Sequence, residues 1–187
     1  MIFVDQMKEG LNIMLHPTEA NYESHGIGGS LTFYYKLSLI PLILYIIFST
    51  LSTNPLFSML MGIISIWVVA PIGFFIASLL YHAIGKLFKA FKNPYQNTFS
   101  AMVYGVIPSI MFIWIQPIPI INLLVIIFEI WAFIVMVFAL AKLQSTKPLT
   151  AFGIIIATFV VIIILVAIFA IALMPLGVIP TTSIHKI

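Results

Sequence analysis

The sequence predicts an all-α integral membrane protein, a bundle of five transmembrane helices with an amphipathic helix at its N-terminus. Of its 187 residues, 63% are hydrophobic and only 7% are charged, whereas a soluble domain carries about a quarter charged residues. Several apolar stretches are long enough, at about 1.5 Å per residue, to cross a hydrocarbon core of about 30 Å. Lysines cluster between these stretches. Lipid is therefore the solvent for most of the chain, which leaves no room for a separate soluble domain.

The ionisable residues exclude several classes of function. All eight basic residues are lysines, and because arginine is the usual ligand for phosphate, we expect no nucleic-acid partner. The sequence has no cysteine, which excludes disulfides, thiolate catalysis and thiolate metal sites. The first ten residues are mixed and acidic where a secretory signal would be basic and then apolar, so we expect no cleaved signal peptide.

The N-terminal segment, residues 1–30, is predicted to be cytoplasmic. Apolar side chains recur every three or four positions up to Leu15, with polar side chains on the remaining arc. This spacing predicts an amphipathic helix lying on the membrane surface. Pro17 ends that helix and favours a second short helix through Tyr22. The Gly-rich stretch 26–30 predicts a flexible joint.

The membrane domain, residues 31–175, begins with an aromatic belt in which Lys36 snorkels to the headgroups, followed by the first span. A turn at Pro55 leads into a long second span, which Pro71 kinks because it cannot donate a backbone hydrogen bond. Pro108 is expected to kink the third span in the same way. The predicted spans are 33–51, 56–81, 99–115, 118–141 and 151–174, and a short external tail, 176–187, follows them.

The loop between the second and third spans is the most basic part of the chain. Lys86, Lys89 and Lys92 recur at three-residue spacing beside apolar residues. This predicts a short cationic amphipathic helix that contacts anionic lipid headgroups at the cytoplasmic face.

Two sets of small residues predict close helix packing. Ala101, Gly105 and Ser109 form a ridge in the third span, and Gly153 and Ala157 form a pair in the fifth. Such ridges let another helix approach closely. We interpret the first ridge as packing within the chain, with self-association of two copies as the alternative.

Glu129 is the sharpest candidate site, because it is the only acid in any predicted span and an acid at mid-bilayer costs about 3 kcal/mol or more. Asn122 and Met136 lie seven residues on either side, so the three share a stripe that we interpret as the inward face. Tyr104 is a candidate partner. Two interpretations stay open. Glu129 is either a protonated group that bonds across helices, worth about 0.6 to 2 kcal/mol, or a proton or cation site in a small transporter or channel.

The remaining polar residues do not predict catalysis. His16, Glu19, Glu23 and His25 are close in sequence, but Pro17 interrupts the helix that would align them, so we interpret them as a solvated surface and expect no metal. No zinc-binding His-Glu-x-x-His helix and no pair of intramembrane acids occurs. We therefore expect no catalytic residue, no cofactor and no enzymatic activity.

The positions of the lysines predict the orientation of the chain. Seven of the eight precede the first span or lie in the two basic loops, and only Lys186 falls on the opposite side. By the positive-inside rule, the N-terminus is cytoplasmic and the C-terminus lies outside.

The order of these features resembles that of a known family. An amphipathic start with His16-Pro17-Thr18-Glu19, five spans, a Tyr-x-x-x-Pro from Tyr104 to Pro108 and a short basic loop together resemble the Ypt-interacting protein (YIP) domain family over nearly the whole chain. The resemblance implies a five-span bundle with a cytosolic N-terminus. It also implies a role in vesicle traffic and binding of prenylated small GTPases, as in eukaryotic members. The Asp-Leu-Tyr-Gly-Pro signature of those members is missing, so the chain is closer to the minimal prokaryotic members. We expect a scaffold or adaptor that binds membrane lipids and either a protein partner or a second copy.

Overall fold

In a computed structural model, which describes residues 3–118 and 121–173, all the regular secondary structure is helical. The predicted 176–187 tail lies outside the described residues. The helices are α1 (Phe3–Leu15), α2 (Gly26–Ser49), α3 (Pro55–Ile64), α4 (Ala70–Leu87), α5 (Tyr95–Gly105), α6 (Ile107–Phe112), α7 (Val125–Leu143) and α8 (Pro148–Leu173). A π-helical turn, Ser65–Val69, joins α3 to α4, and short 3₁₀ turns, Ile113–Ile115 and Ile121–Leu124, lie between α6 and α7.

Five of the resulting helical rods are long and apolar enough to cross a membrane, which confirms the predicted fold class. The second rod combines α3, the π turn and α4, and the third combines α5, α6 and a 3₁₀ turn. Four ends differ from the predicted spans by four or more residues. The first rod starts at Gly26, the second extends to Leu87, the third starts at Tyr95 and the fourth starts at Val125.

The third rod forms the centre of the bundle. In its most apolar stretch 67% of the residues are buried, against 22% in the second and fifth rods. Gly105 lies directly against α7, so that a Cβ atom there would be 2.6 Å from the Cβ of Met136. Ala101 and Gly105 of the predicted ridge therefore lie inside the bundle, and the other rods surround them with isoleucines and leucines exposed on the outer surface.

The N-terminal segment packs against the bundle instead of lying apart from it. Trp131 of α7 donates a hydrogen bond of 2.6 Å from its indole Nε1 to the carbonyl of Met14. The buried side of α1 carries Gln6, Gly10 and Ile13, and Met7 and Met14 of the predicted apolar stripe pack against the core. Leu11 and Leu15 of that stripe are exposed. The predicted helix is thus present, and its position on the membrane surface stays a prediction.

Two local predictions were wrong. Residues 17–19 form a turn instead of the predicted second short helix. The Tyr22 hydroxyl donates a hydrogen bond to the Pro17 carbonyl and stabilises this turn. The Gly-rich stretch 26–30 is the first turn of α2 and not a joint. It is tied to the third rod by a 2.8 Å hydrogen bond between the hydroxyls of Ser30 and Ser100.

The basic loop does not form the predicted cationic helix. Helix α4 continues through Lys86 and ends in a Schellman motif, in which Lys89 adopts the left-handed conformation (φ 55°) and the Ala90 N–H bonds the Gly85 carbonyl at 2.8 Å. Lys86 donates to the carbonyl of Lys92 at 3.3 Å. The three lysines are exposed, but they surround a helix end and do not share one helical face.

A polar network, here called the loop clamp, ties this loop to the start of α5 and the end of α7. Gln144, fully buried, donates to the Thr98 hydroxyl at 2.8 Å and accepts from the Asn93 N–H at 3.1 Å. The Asn93 and Asn97 side chains both donate to the Leu143 carbonyl, at 2.6 and 2.9 Å. Two loops distant in sequence therefore form one rigid end of the bundle.

Candidate functional site

The second and third rods are irregular where they face each other across a groove. Pro71 has no N–H, so in the π turn the carbonyl of Ile66, five residues earlier, and that of Trp67, four residues earlier, lose their donors. Two tyrosines of α2 replace them. Tyr34 donates to the Ile66 carbonyl at 2.6 Å and Tyr35 to the Trp67 carbonyl at 3.2 Å. The predicted kink at Pro71 is thus a π turn with its free carbonyls satisfied by side chains.

The third rod breaks at Val106, between α5 and α6, because Pro108 cannot donate to the Tyr104 carbonyl. The predicted kink at Pro108 therefore separates two helices. At membrane depth, irregular backbone is tolerated only where it is buried in protein or lines a cavity. Here the π turn and the break at Val106 both line a cavity.

A cavity of about 280 Å³ lies between the π turn, α6 and the start of α7. Its polar lining comes from Ser65, Ser109, Gln116 and Glu129, together with Tyr34; the rest is apolar. A second cavity of about 240 Å³, which extends toward α8, shares Val106, Ser109 and Glu129 with the first. We call the two together the Glu129 groove.

Glu129 is exposed at this groove and makes no hydrogen bond or ion pair with any residue that the structure describes. Ser109 is its polar neighbour on the third rod, and its hydroxyl is buried without a hydrogen-bond partner in the described part of the chain. Met136, on the same predicted stripe, is buried against Gly105. Of the predicted stripe, Met136 therefore faces the interior of the bundle, whereas Glu129 faces the groove. The side chain of Asn122 lies outside the described residues.

Tyr104 belongs to a different cluster and is not a partner of Glu129. Its hydroxyl donates to the Glu23 carbonyl at 2.9 Å and lies 3.3 Å from Oε1 of Glu9. The same Glu9 oxygen is 3.6 Å from Nε2 of His25. Here α1 covers the first and third rods with its polar side, which the alternation of apolar residues in α1 gave no reason to expect.

The other predicted site residues are dispersed. Ala157 is half-buried, but a Cβ at Gly153 would have no atom of another helix within 4 Å, so no second helix among the described residues approaches closely at Gly153. Residues His16, Glu19, Glu23 and His25 contribute to no group of three potential metal ligands in the ranges that the structure covers.

At the loop end of the bundle, the lysines stand beside exposed apolar side chains. Leu87 and Phe88 are 77% and 64% exposed, between Lys86 and Lys89, and Leu149 in the first turn of α8 is 79% exposed. We call this surface the basic rim. Burial raises the pKa of Tyr22, which packs against Lys142, above its ordinary value. The neutral Tyr22 ring lies under the ammonium of Lys142, with Nζ 5.5 Å from the ring centroid.

Sequence reasoning missed three members of the groove, Ser65, Gln116 and Tyr34. The sequence did contain a signal for Tyr34. A proline within one span leaves backbone carbonyls without donors, and two adjacent tyrosines in the preceding span can supply the missing hydrogen bonds. No pattern in a single sequence pairs Ser65 or Gln116 with Glu129.

Comparison with known proteins gives one match. The family model described as the Yip1 domain matches residues 11–171, most of the chain. No curated protein and no solved structure matches it.

Proposed function

The chain belongs to the Yip1 domain family, and from that premise we propose that this multi-pass membrane protein is a non-enzymatic scaffold or adaptor that holds partner proteins or lipids, with a link to membrane trafficking. The observation that carries the proposal is the basic rim. A scaffold needs a fixed surface, and the loop clamp fixes the backbone beneath the rim through hydrogen bonds of Asn93, Asn97 and Gln144.

The rim has the chemistry of a headgroup-contacting surface. Exposed Lys86, Lys89 and Lys92 attract anionic lipids by about 1 kcal/mol each near the membrane surface. Leu87 and Phe88, which are also exposed, can enter the headgroup boundary beside them. With the lysine distribution, this supports an orientation in which the rim and the N-terminus are cytoplasmic and the C-terminus is outside.

Co-purification from native membranes, with identification of proteins and lipids, tests this function. The variant Lys86→Gln/Lys89→Gln/Lys92→Gln is expected to lose most of the anionic lipid that the wild-type protein retains. The matched control is Lys8→Gln, an exposed lysine of α1. Equal anionic lipid in all three preparations, and no protein partner in any of them, would contradict the proposal.

The Glu129 groove favours a second candidate function, that of a small transporter or channel. A lone carboxyl group that lines two cavities between irregular spans is the arrangement expected of a proton or cation pathway. Flux of protons or monovalent cations into liposomes, lost on Glu129→Gln, would support it. A Glu129→Gln protein that conducts as the wild type does, or a wild type without flux, would eliminate it.

A further inference from the structure

The Glu129 groove has a definite chemical character, since one carboxylate and a few neutral polar groups stand in an otherwise apolar lining. We propose that the groove binds a small lipophilic amine in its ammonium form. The proposal takes its site from the second candidate function but requires only binding, and not transport.

The charge of the ligand follows from what the groove lacks. A carboxylate at mid-span is costly in hydrocarbon unless it is neutralised, and no residue in the described chain neutralises Glu129. Ser109 offers a buried hydroxyl without a partner, and Ser65 and Gln116 add further oxygen acceptors. An ammonium group supplies several N–H donors and one positive charge, which matches this set.

The remainder of the ligand follows from the walls. Ile66, Phe74, Ile110 and Ile113 make most of the cavity apolar, which disfavours a hydrated inorganic cation and favours a hydrocarbon chain. The Tyr34 and Phe74 rings meet edge to face at 5.0 Å, and both line the cavity, where an aromatic face can attract an ammonium. A water molecule, which has one non-hydrogen atom, occupies about 30 Å³. The first cavity, of about 280 Å³, therefore accommodates a ligand of roughly ten non-hydrogen atoms.

The route into the groove also indicates a lipophilic ligand. Glu129 is exposed on the side of α7 that carries Ile126 and Ile130, each 59% exposed. In a membrane these isoleucines contact acyl chains. The groove therefore opens sideways into the bilayer, and a molecule that partitions into lipid reaches it directly.

Hexylamine and 1-hexanol provide the test, because they share a chain and differ in charge at neutral pH. We expect millimolar hexylamine to raise the melting temperature of the full-length protein in detergent, as a ligand of the folded state must, and an equal concentration of hexanol not to do so. Glu129→Gln should weaken hexylamine binding at least tenfold and Ser109→Ala several-fold. Glu19→Gln, which removes an exposed acid in the N-terminal segment, should bind as the wild type does.

Three outcomes would overturn the proposal: equal shifts with hexanol and hexylamine, unchanged hexylamine binding in Glu129→Gln, or no shift of the wild type. Circular dichroism of each variant without ligand separates lost binding from lost folding, and Glu129→Ala provides a second variant if Glu129→Gln unfolds. Binding without ion flux leaves this site in place and removes only the transport candidate.

Discussion

Two glycines that look equivalent in the sequence should respond in opposite directions to the same substitution. A Cβ atom at Gly105 would be 2.6 Å from Cβ and 3.1 Å from Cα of Met136, whereas one at Gly153 would have no atom within 4 Å. Because carbon atoms prefer separations of about 3.5 to 4.0 Å, Gly105→Ala must push α5 and α7 apart. Overpacking of this kind costs about 1 to 3 kcal/mol, which outweighs the gain of up to about 1 kcal/mol that alanine brings to a helix.

Gly153→Ala keeps only the helix gain, which both variants share, so the two variants should differ in stability by the overpacking cost, about 1 to 3 kcal/mol. For a chain of this size, that corresponds to a difference of roughly 2 to 12 °C in melting temperature. The measurement is thermal unfolding of both variants and the wild type in one detergent, followed by circular dichroism. A Gly105→Ala protein that melts at or above the temperature of Gly153→Ala would refute the packing of the central rod described above.

Three further perturbations test other parts of the fold. Trp131→Phe removes the hydrogen bond to α1, worth about 1 kcal/mol, so amide exchange in α1 should accelerate about fivefold. Trp114→Phe should leave that exchange unchanged, because the Trp114 indole bonds the Met111 carbonyl within the third rod. Gln144→Leu leaves its buried hydrogen-bond partners in the loop clamp unsatisfied, so thermal melts should show a destabilisation of about 1 to 3 kcal/mol. The control Gln96→Leu, at an exposed position, should destabilise the protein by at most about 0.5 kcal/mol. Burial raises the pKa of Tyr22 above 10.0, so its stabilising contribution is complete below pH 10 and is lost as pH rises further. The fall in melting temperature above pH 10 should therefore be smaller in Tyr22→Phe, and an identical fall would show that Tyr22 does not titrate with unfolding.

The five-span fold could be predicted because hydrocarbon imposes length and composition on each span separately. The prediction needed no information about which spans touch. The helix ends were less predictable, since a helix can continue beyond the membrane when its end is capped by tertiary contacts. At Gly26 and Ser30, for example, α2 extends beyond the predicted boundary by bonding Ser100 of the third rod.

The buried face of α1 and the lining of the groove could not be predicted. Polar groups within a membrane bundle pair according to where the fold brings them in space, and the spacing of residues in the sequence does not show this. Periodicity predicted the amphipathic helix, but it did not predict that Gln6 and Glu9 face the bundle near His25 and Tyr104. Glu129 was identifiable from its type and depth alone. Its neighbours depend on how the third rod breaks at Val106, which a single sequence does not specify.

The central claim is that a polar groove at Glu129, lined by the π turn, opens within the membrane. Because the chain has no cysteine, single substitutions Ser65→Cys and Ile64→Cys test it directly. The two positions are adjacent and exposed at the same depth, and only Ser65 lines the groove. A small thiol reagent that partitions into the bilayer, applied to the protein in liposomes, should modify Ser65→Cys and leave Ile64→Cys unmodified, since thiol modification requires the thiolate, which a polar groove supports and hydrocarbon does not. Equal reactivity at both positions, or none at Ser65→Cys, would contradict the account.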